Sequence, residues 1–198
     1  MIVLDIEASG VNPEQNSILS IGAIDLDDPT NQFYDECRMW DGAKNEAEAA
    51  LINGFDDAAA SDPSKKTEAE LLAAFFAWAF DRPQDRTLAA QNVWFDAGFL
   101  QAASSRAGVE YPFAKRVIDI HSIAWLHMTR AGKTPPLEKG HSSLSSGVIQ
   151  EYCGMPSEPK PHNALTGALW HAEAIARMAY NRSVVDDYKN FRIPWMTS

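Results

Sequence analysis

Cysteine is nearly absent: the 198 residues hold two, Cys37 and Cys153, and no Cys-x-x-Cys pair. That excludes a disulfide scaffold and a thiolate zinc site, and both residues are expected as packed free thiols. Long apolar runs are missing too. The most apolar stretch, Leu71 to Phe80, lies between Glu70 and Asp81 and falls short of the ~20 residues that span a bilayer, so no membrane association is expected. Basic charge is scarce, with 17 Lys and Arg against 27 Asp and Glu for a net charge of −10, an unfavourable balance for a partner that is itself a polyanion. The beginning, Met1-Ile2-Val3-Leu4-Asp5, lacks the basic and apolar segments of a secretory signal, so a cytoplasmic protein is expected.

What is present is the composition of a folded globular chain, 45% hydrophobic and 22% charged. A chain of this length buries roughly 70% of the surface its unfolded form exposes, enough to fold without a covalent or metal staple. The excess acid is uneven. Residues 1–114 carry 7 basic and 20 acidic side chains, whereas residues 115–162 carry 6 and 4. Lys115, Arg116, Arg130, Lys133 and Lys139 therefore form the candidate basic surface, although each also reads as an ordinary solvated charge.

Apolar runs at Ile2–Ile6 and Ile18–Leu26, separated by Gly10, Asn12 and Pro13, read as two strands. Alternation over Gln32–Met39 adds a third, giving an antiparallel start. Helical spacing follows at Glu46–Leu51 and at Thr67–Phe80, the latter apolar nearly all round and so expected to be buried. Thr87–Gln91 and Arg116–Ile120 read as further strands, each followed by a helix, from about Asp96 to Ala107 and on through Met128. Residues 129–141 read as an exposed loop and Ser142–Tyr152 as a helix. A last helix runs from an Asn163 cap to Tyr180. The sum is one α/β domain, residues 1–182, with a mixed five-stranded sheet flanked by helices, and a tail, residues 183–198. The tail packs on its own domain by default, or on a second subunit in a dimer.

Three short elements carry chemistry. Asp5 and Glu7 stand two apart on a strand, which puts both carboxylates on one face and turns Ile6 into the core. Like charges that close call for a cation or a base between them, and all-oxygen donors suit Mg²⁺ or Mn²⁺. Taken alone, Asp-x-Glu is a common pattern that a solvated strand end also satisfies. Asn92-Val-Trp-Phe95-Asp96-Ala-Gly-Phe99-Leu100 is a strand-to-helix junction in which Asp96 also fits as an acid favoured by the helix dipole, and Phe95 and Phe99 as core. His162 precedes the last helix, where it can project over a site.

In this order and spacing the three elements resemble the motifs of the DEDDh family, the proofreading-type 3′-to-5′ exonucleases of RNase H-like fold. Asp5-Ile-Glu7-Ala8-Ser9-Gly10 is similar to the first motif, and Ile18-Leu-Ser-Ile-Gly22-Ala to the strand after it. Asn92 to Leu100 is similar to the second motif, Val117-Ile-Asp119 to the next strand, and His162-Asn-Ala-Leu165 to the start of the third, with Ala168 and Ala172 fitting its helix. The likeness covers about residues 1–180. It implies an RNase H-like fold and a two-metal site for Mg²⁺ or Mn²⁺, with Asp5, Glu7 and Asp96 as metal-binding acids and His162 as general base. It also implies hydrolysis at single-stranded DNA or RNA 3′ ends to nucleoside monophosphates, with Ala8, Ser9, Gly10, Asn92 and Phe99 near the terminal nucleotide. For Phe99, core packing is the favoured account.

Five residues after the histidine, where the family carries its fourth acid, stands Gly167. Glycine inside a helix costs about 1 kcal/mol against alanine, an odd choice for a merely decaying position. Three accounts are open: another group such as His171 or Glu173 completes the metal shell; a weakened enzyme turns over slowly; or an impaired module binds nucleic-acid ends or a protein.

Overall fold

A computed structural model describes residues 1–81 and 85–196. Strands β1 (Ile2–Ala8), β2 (Ile18–Asp25) and β3 (Gln32–Glu36) form the antiparallel start. Two short helices, α1 (Ala47–Asn53) and α2 (Asp57–Ala60), and a longer one, α3 (Glu68–Phe80), lead to β4 (Leu88–Ala90), which runs parallel to β1. Helix α4 (Val93–Ala107) then returns the chain to β5 (Ile118–Asp119), parallel to β4, and α5 (Ile120–Arg130) follows at once. The sheet order is β3-β2-β1-β4-β5, a mixed five-stranded sheet as the sequence implies. A small hairpin, β6 (Leu137–Glu138) and β7 (His141–Ser142), precedes α6 (Ser146–Tyr152) and α7 (Ala164–Tyr180).

The central strand divides its side chains between two cores. Ile2, Leu4 and Ile6 pack with Leu72 and Phe75 of α3 and Phe99 of α4. Val3 packs on the other side with Ile24, Ile120, Ala168 and Ala172, beneath α5 and α7. A period of two therefore sends Asp5 and Glu7 to the face that α7 covers. Asn163 caps α7, its Oδ1 accepting from the backbone N–H groups of Leu165 and Thr166.

Several boundaries differ from the sequence reading. Helix α3 is buried on one side only: Leu71, Leu72, Phe75 and Ala79 are covered while Ala73, Ala77 and Phe80 face solvent, since alanine is as compatible with an exposed helix face as with a core. Residues 142–145 belong to the hairpin and the Ser145 cap rather than to α6, and the loop 129–141 contains the β6 strand. The strand expected at Arg116–Ile120 is only two residues long, because Ile120 already opens α5 behind the Asp119 cap. Cys37 and Cys153 are free and buried, and no helix among the described residues is long and apolar enough to cross a membrane.

Beyond α7 the described tail is fastened to the body by a buried ion pair. Arg177 Nε donates to Glu173 Oε1 at 2.6 Å, and its other nitrogens donate to the carbonyls of Cys153, Tyr188 and Phe191. Glu173 Oε2 accepts the backbone N–H groups of Val184 and Val185. Both side chains are wholly buried. Replacing Arg177 with Met leaves a buried carboxylate without its cation, and should lower unfolding free energy in urea by about 3–5 kcal/mol; an unchanged midpoint would mean that the pair does not hold the tail.

Candidate active site

The acids of β1 meet α7 across a pair of glycines. Asp5 lies opposite Gly22 of β2 in the antiparallel register. A Cβ on Gly22 would stand 2.1 Å from the carbonyl carbon of Ala164, so glycine is what allows the first turn of α7 to press on the sheet. One turn further on, a Cβ at Gly167 would stand 2.1 Å from Asp5 Oδ2 and 2.6 Å from its Cγ. The Asp5 carboxylate occupies the space that a side chain at position 167 would need.

Helix α4 brings Asp96 to the same place. The Ile6 backbone N–H favours the ionised forms of both Asp5 and Asp96, so both carboxylates lie near the same peptide group. Burial nevertheless holds both far above the usual carboxylate range, with Asp96, Glu7 and Glu158 adding to it at Asp5, and Glu7 and Asp119 adding to it at Asp96. Glu7 is pushed up to about 7, first by burial and then by Glu158. Among the described residues no lysine or arginine forms an ion pair with any of these acids. A buried set of carboxylates without a base is the electrostatic signature of a cation site.

The donor set fits a hard divalent cation, since it is all oxygen. Asp96 is only 2% exposed, and its Oδ1 has no hydrogen-bond partner. An orphaned buried oxygen is costly unless something outside the protein satisfies it. As they stand, no three His, Cys, Asp or Glu side chains among the described residues are drawn into a coordination shell.

His162 lies two residues ahead of α7 and is partly buried. Its backbone N–H donates to Ile52 at the end of α1, and its Nδ1 lies 3.8 Å from Glu158 Oε2, with a third of the side chain exposed. A cleft of about 270 Å³ opens beside Glu7, lined by Ala8, Gly10, Ile52, Asn53 and Phe95. Asn53 Nδ2 donates to the Ala8 carbonyl and so ties α1 to the end of β1. A Cβ on Gly10 would come within 2.5 Å of Asn16 and Glu46, so the backbone is compact there.

The remaining expected substrate contacts are placed less favourably. Ser9 is buried, and its hydroxyl donates to Lys44 O and accepts from Ser17 N–H, which leaves it part of the fold. Asn92 is exposed at the start of α4 in a left-handed conformation, with its N–H on Asp119 Oδ1. Phe99 is wholly buried in the core and cannot meet a ligand. Phe95, one turn earlier and 4.9 Å from it ring to ring, faces the cleft instead. Both aromatics fit the helical repeat, and only the packing distinguishes them.

Neither side chain expected to stand in for the fourth acid does so. His171 is buried with Nδ1 on the Leu4 carbonyl and is pushed down to about 4 by burial. Glu173 is consumed by Arg177 and by the two backbone amides of the tail. The acid that sequence reasoning missed is Glu158, which lies in an irregular proline-bearing loop without periodicity.

The family model for the RNase_T exonucleases matches residues 2–174. Ribonuclease T of Vibrio vulnificus (strain CMCP6) is 26% identical over 187 residues, covering 80% of this chain and 85% of that protein. Among solved structures, the fold resembles cell-death related nuclease 4 at a TM-score of 0.70, with 16% identity, 89% of this chain covered and 62% of that one. It resembles E. coli exonuclease I in complex with a dA16 oligonucleotide at 0.69, with 17% identity, 91% of this chain and 40% of that one. The nuclease domain of 3′hExo, a DEDDh family member bound to rAMP, superposes at 0.64 with 18% identity over 99% of this chain and 96% of that one. At these identities the structural likeness is one of fold, and the chain spans less than two thirds of the first two structures.

Two outcomes follow. Substituting Gly167 with Ala or Asp should displace the Asp5 carboxylate, and isothermal titration with Mn²⁺ should show affinity reduced at least tenfold; tighter binding by Gly167→Asp would contradict this packing. His171 has a folded pKa below its unfolded value, so its contribution is fully present above about pH 6.5 and is lost as pH falls toward 4. Denaturant titrations should show wild type losing about 3 kcal/mol relative to His171→Asn between pH 7 and 4; a constant difference would refute it.

Proposed function

The chain belongs to the RNase_T exonuclease family, and from that premise we propose that it is a divalent-metal-dependent 3′-to-5′ exonuclease. Its substrates are single-stranded DNA or RNA ends, from which it releases nucleoside monophosphates. The observation that carries this reading is the convergence of Asp5, Glu7 and Asp96 in a buried pocket with no base among them and an orphaned Asp96 oxygen.

Asp5, Glu7 and Asp96 would hold the ions. Held there, divalent ions would supply water activation and charge stabilisation at the phosphate and the departing 3′ oxygen. His162, a third exposed just ahead of α7, is the group that would accept the proton of the attacking water, a task an imidazole is suited to. Its backbone anchor on Ile52 and the Asn163 cap fix where the ring can swing. The cleft beside Ala8 and Gly10 offers main-chain atoms to the terminal nucleotide, and Phe95 offers an aromatic face on which a base can stack. Hydrolysis at a 3′ end and single-stranded substrates are supported by the motif order; oligonucleotide and nucleotide complexes of exonuclease I and the 3′hExo nuclease domain support the substrate class. The exposed Lys115, Arg116, Arg130, Lys133 and Lys139 are candidates for contacts to the phosphate backbone.

Gly167 favours a second reading, a module that binds strand ends without cutting them. The two separate in one assay. Purified protein should shorten a 5′-labelled single strand with Mg²⁺ or Mn²⁺, chelator should stop it, and Asp5→Asn and Asp96→Asn should each lower the rate at least a hundredfold. Binding of the strand without shortening, in either metal, would establish the second reading.

A further inference from the structure

Position 167 cannot supply an acid while Asp5 stands where it does, and His171 and Glu173 are engaged elsewhere. We propose that Glu158 is the fourth metal-binding carboxylate of this site, delivered from the loop ahead of α7 rather than from the helix itself. The inference rests on the metal-dependent reading above.

Four observations lead there. The Glu158 side chain is nine-tenths buried although it belongs to an irregular loop whose neighbours Ser157, Pro159 and Lys160 are exposed. Its Oε1 is buried without any hydrogen-bond partner, the same condition as Asp96 Oδ1. Its charge raises the pKa of both Asp5 and Glu7, which puts the carboxylate within electrostatic reach of the β1 acids. Its other oxygen, Oε2, lies 3.8 Å from His162 Nδ1, and the Asn163 backbone N–H favours its ionised form. A glutamate needed only to orient the histidine would leave its second oxygen in water; here that oxygen is turned inward and unsatisfied, which a cation corrects. The longer glutamate side chain reaches the site from the loop, and the glycine at 167 gives Asp5 room on the helix side. The two features are complementary: one vacates a position and the other fills the charge it leaves.

The test is Mn²⁺ binding without substrate, followed by isothermal titration and by electron paramagnetic resonance of free Mn²⁺, for wild type, Glu158→Gln, Glu158→Asp and His162→Asn. Glu158→Gln preserves size and removes only the charge, and circular dichroism confirms that each variant is folded. Wild type should bind two ions. Glu158→Gln should lose one or bind it at least tenfold more weakly, Glu158→Asp should fall between, and His162→Asn should bind within threefold of wild type while losing turnover. Wild-type Mn²⁺ binding by both Glu158 variants would overturn the assignment and reduce Glu158 to a partner of His162, with the exonuclease reading intact if the strand is still shortened. No Mn²⁺ bound by wild type would overturn both.

Discussion

Carboxylates buried together without a base are the constraint around which the rest of this structure is arranged. Burying one ionised acid costs several kcal/mol, and a second beside it adds repulsion. Asp5, Glu7 and Asp96 are nonetheless held together by the central strand and by the helix that follows β4, on elements whose other side chains pack tightly into the two cores. Stability alone gives no reason to keep them. Their pKa values are all raised, and the physical remedy for each is a positive charge from outside the chain.

Helix α7 is what fixes the depth of that pocket. Gly22 and Gly167 are two points at which it approaches the sheet closely, one against helix backbone and one against the Asp5 carboxylate. His162 stands two residues ahead of the same helix, which through Glu173 and Arg177 anchors the tail at its far end. A single element thus contacts both the site and the tail that closes the fold.

Much of this was legible in the sequence because it is local. The two-residue period at Asp5 and Glu7, the apolar run of β2, the alternation in β3, and the Asn163 cap each depend on neighbours in the chain. Long-range choices were not. Phe95 and Phe99 obey the same helical repeat, yet Phe99 is enclosed in the core while Phe95 lies at its margin and lines the cleft. His171 and Glu173 stand as candidates for the metal shell in the sequence, but α7 is buried along most of its length and absorbs both. Glu158 carried no signal because a loop has no period to break, and only the folded chain brings it against β1.

The central claim is that these acids are gathered to hold divalent ions, and anomalous diffraction at the manganese edge from Mn²⁺-soaked crystals tests it most directly. The account predicts two peaks in contact with Asp5, Glu7 and Asp96, one of them also touching Glu158. A clean map with no peak, and the carboxyl groups protonated and hydrogen-bonded to one another, would contradict it.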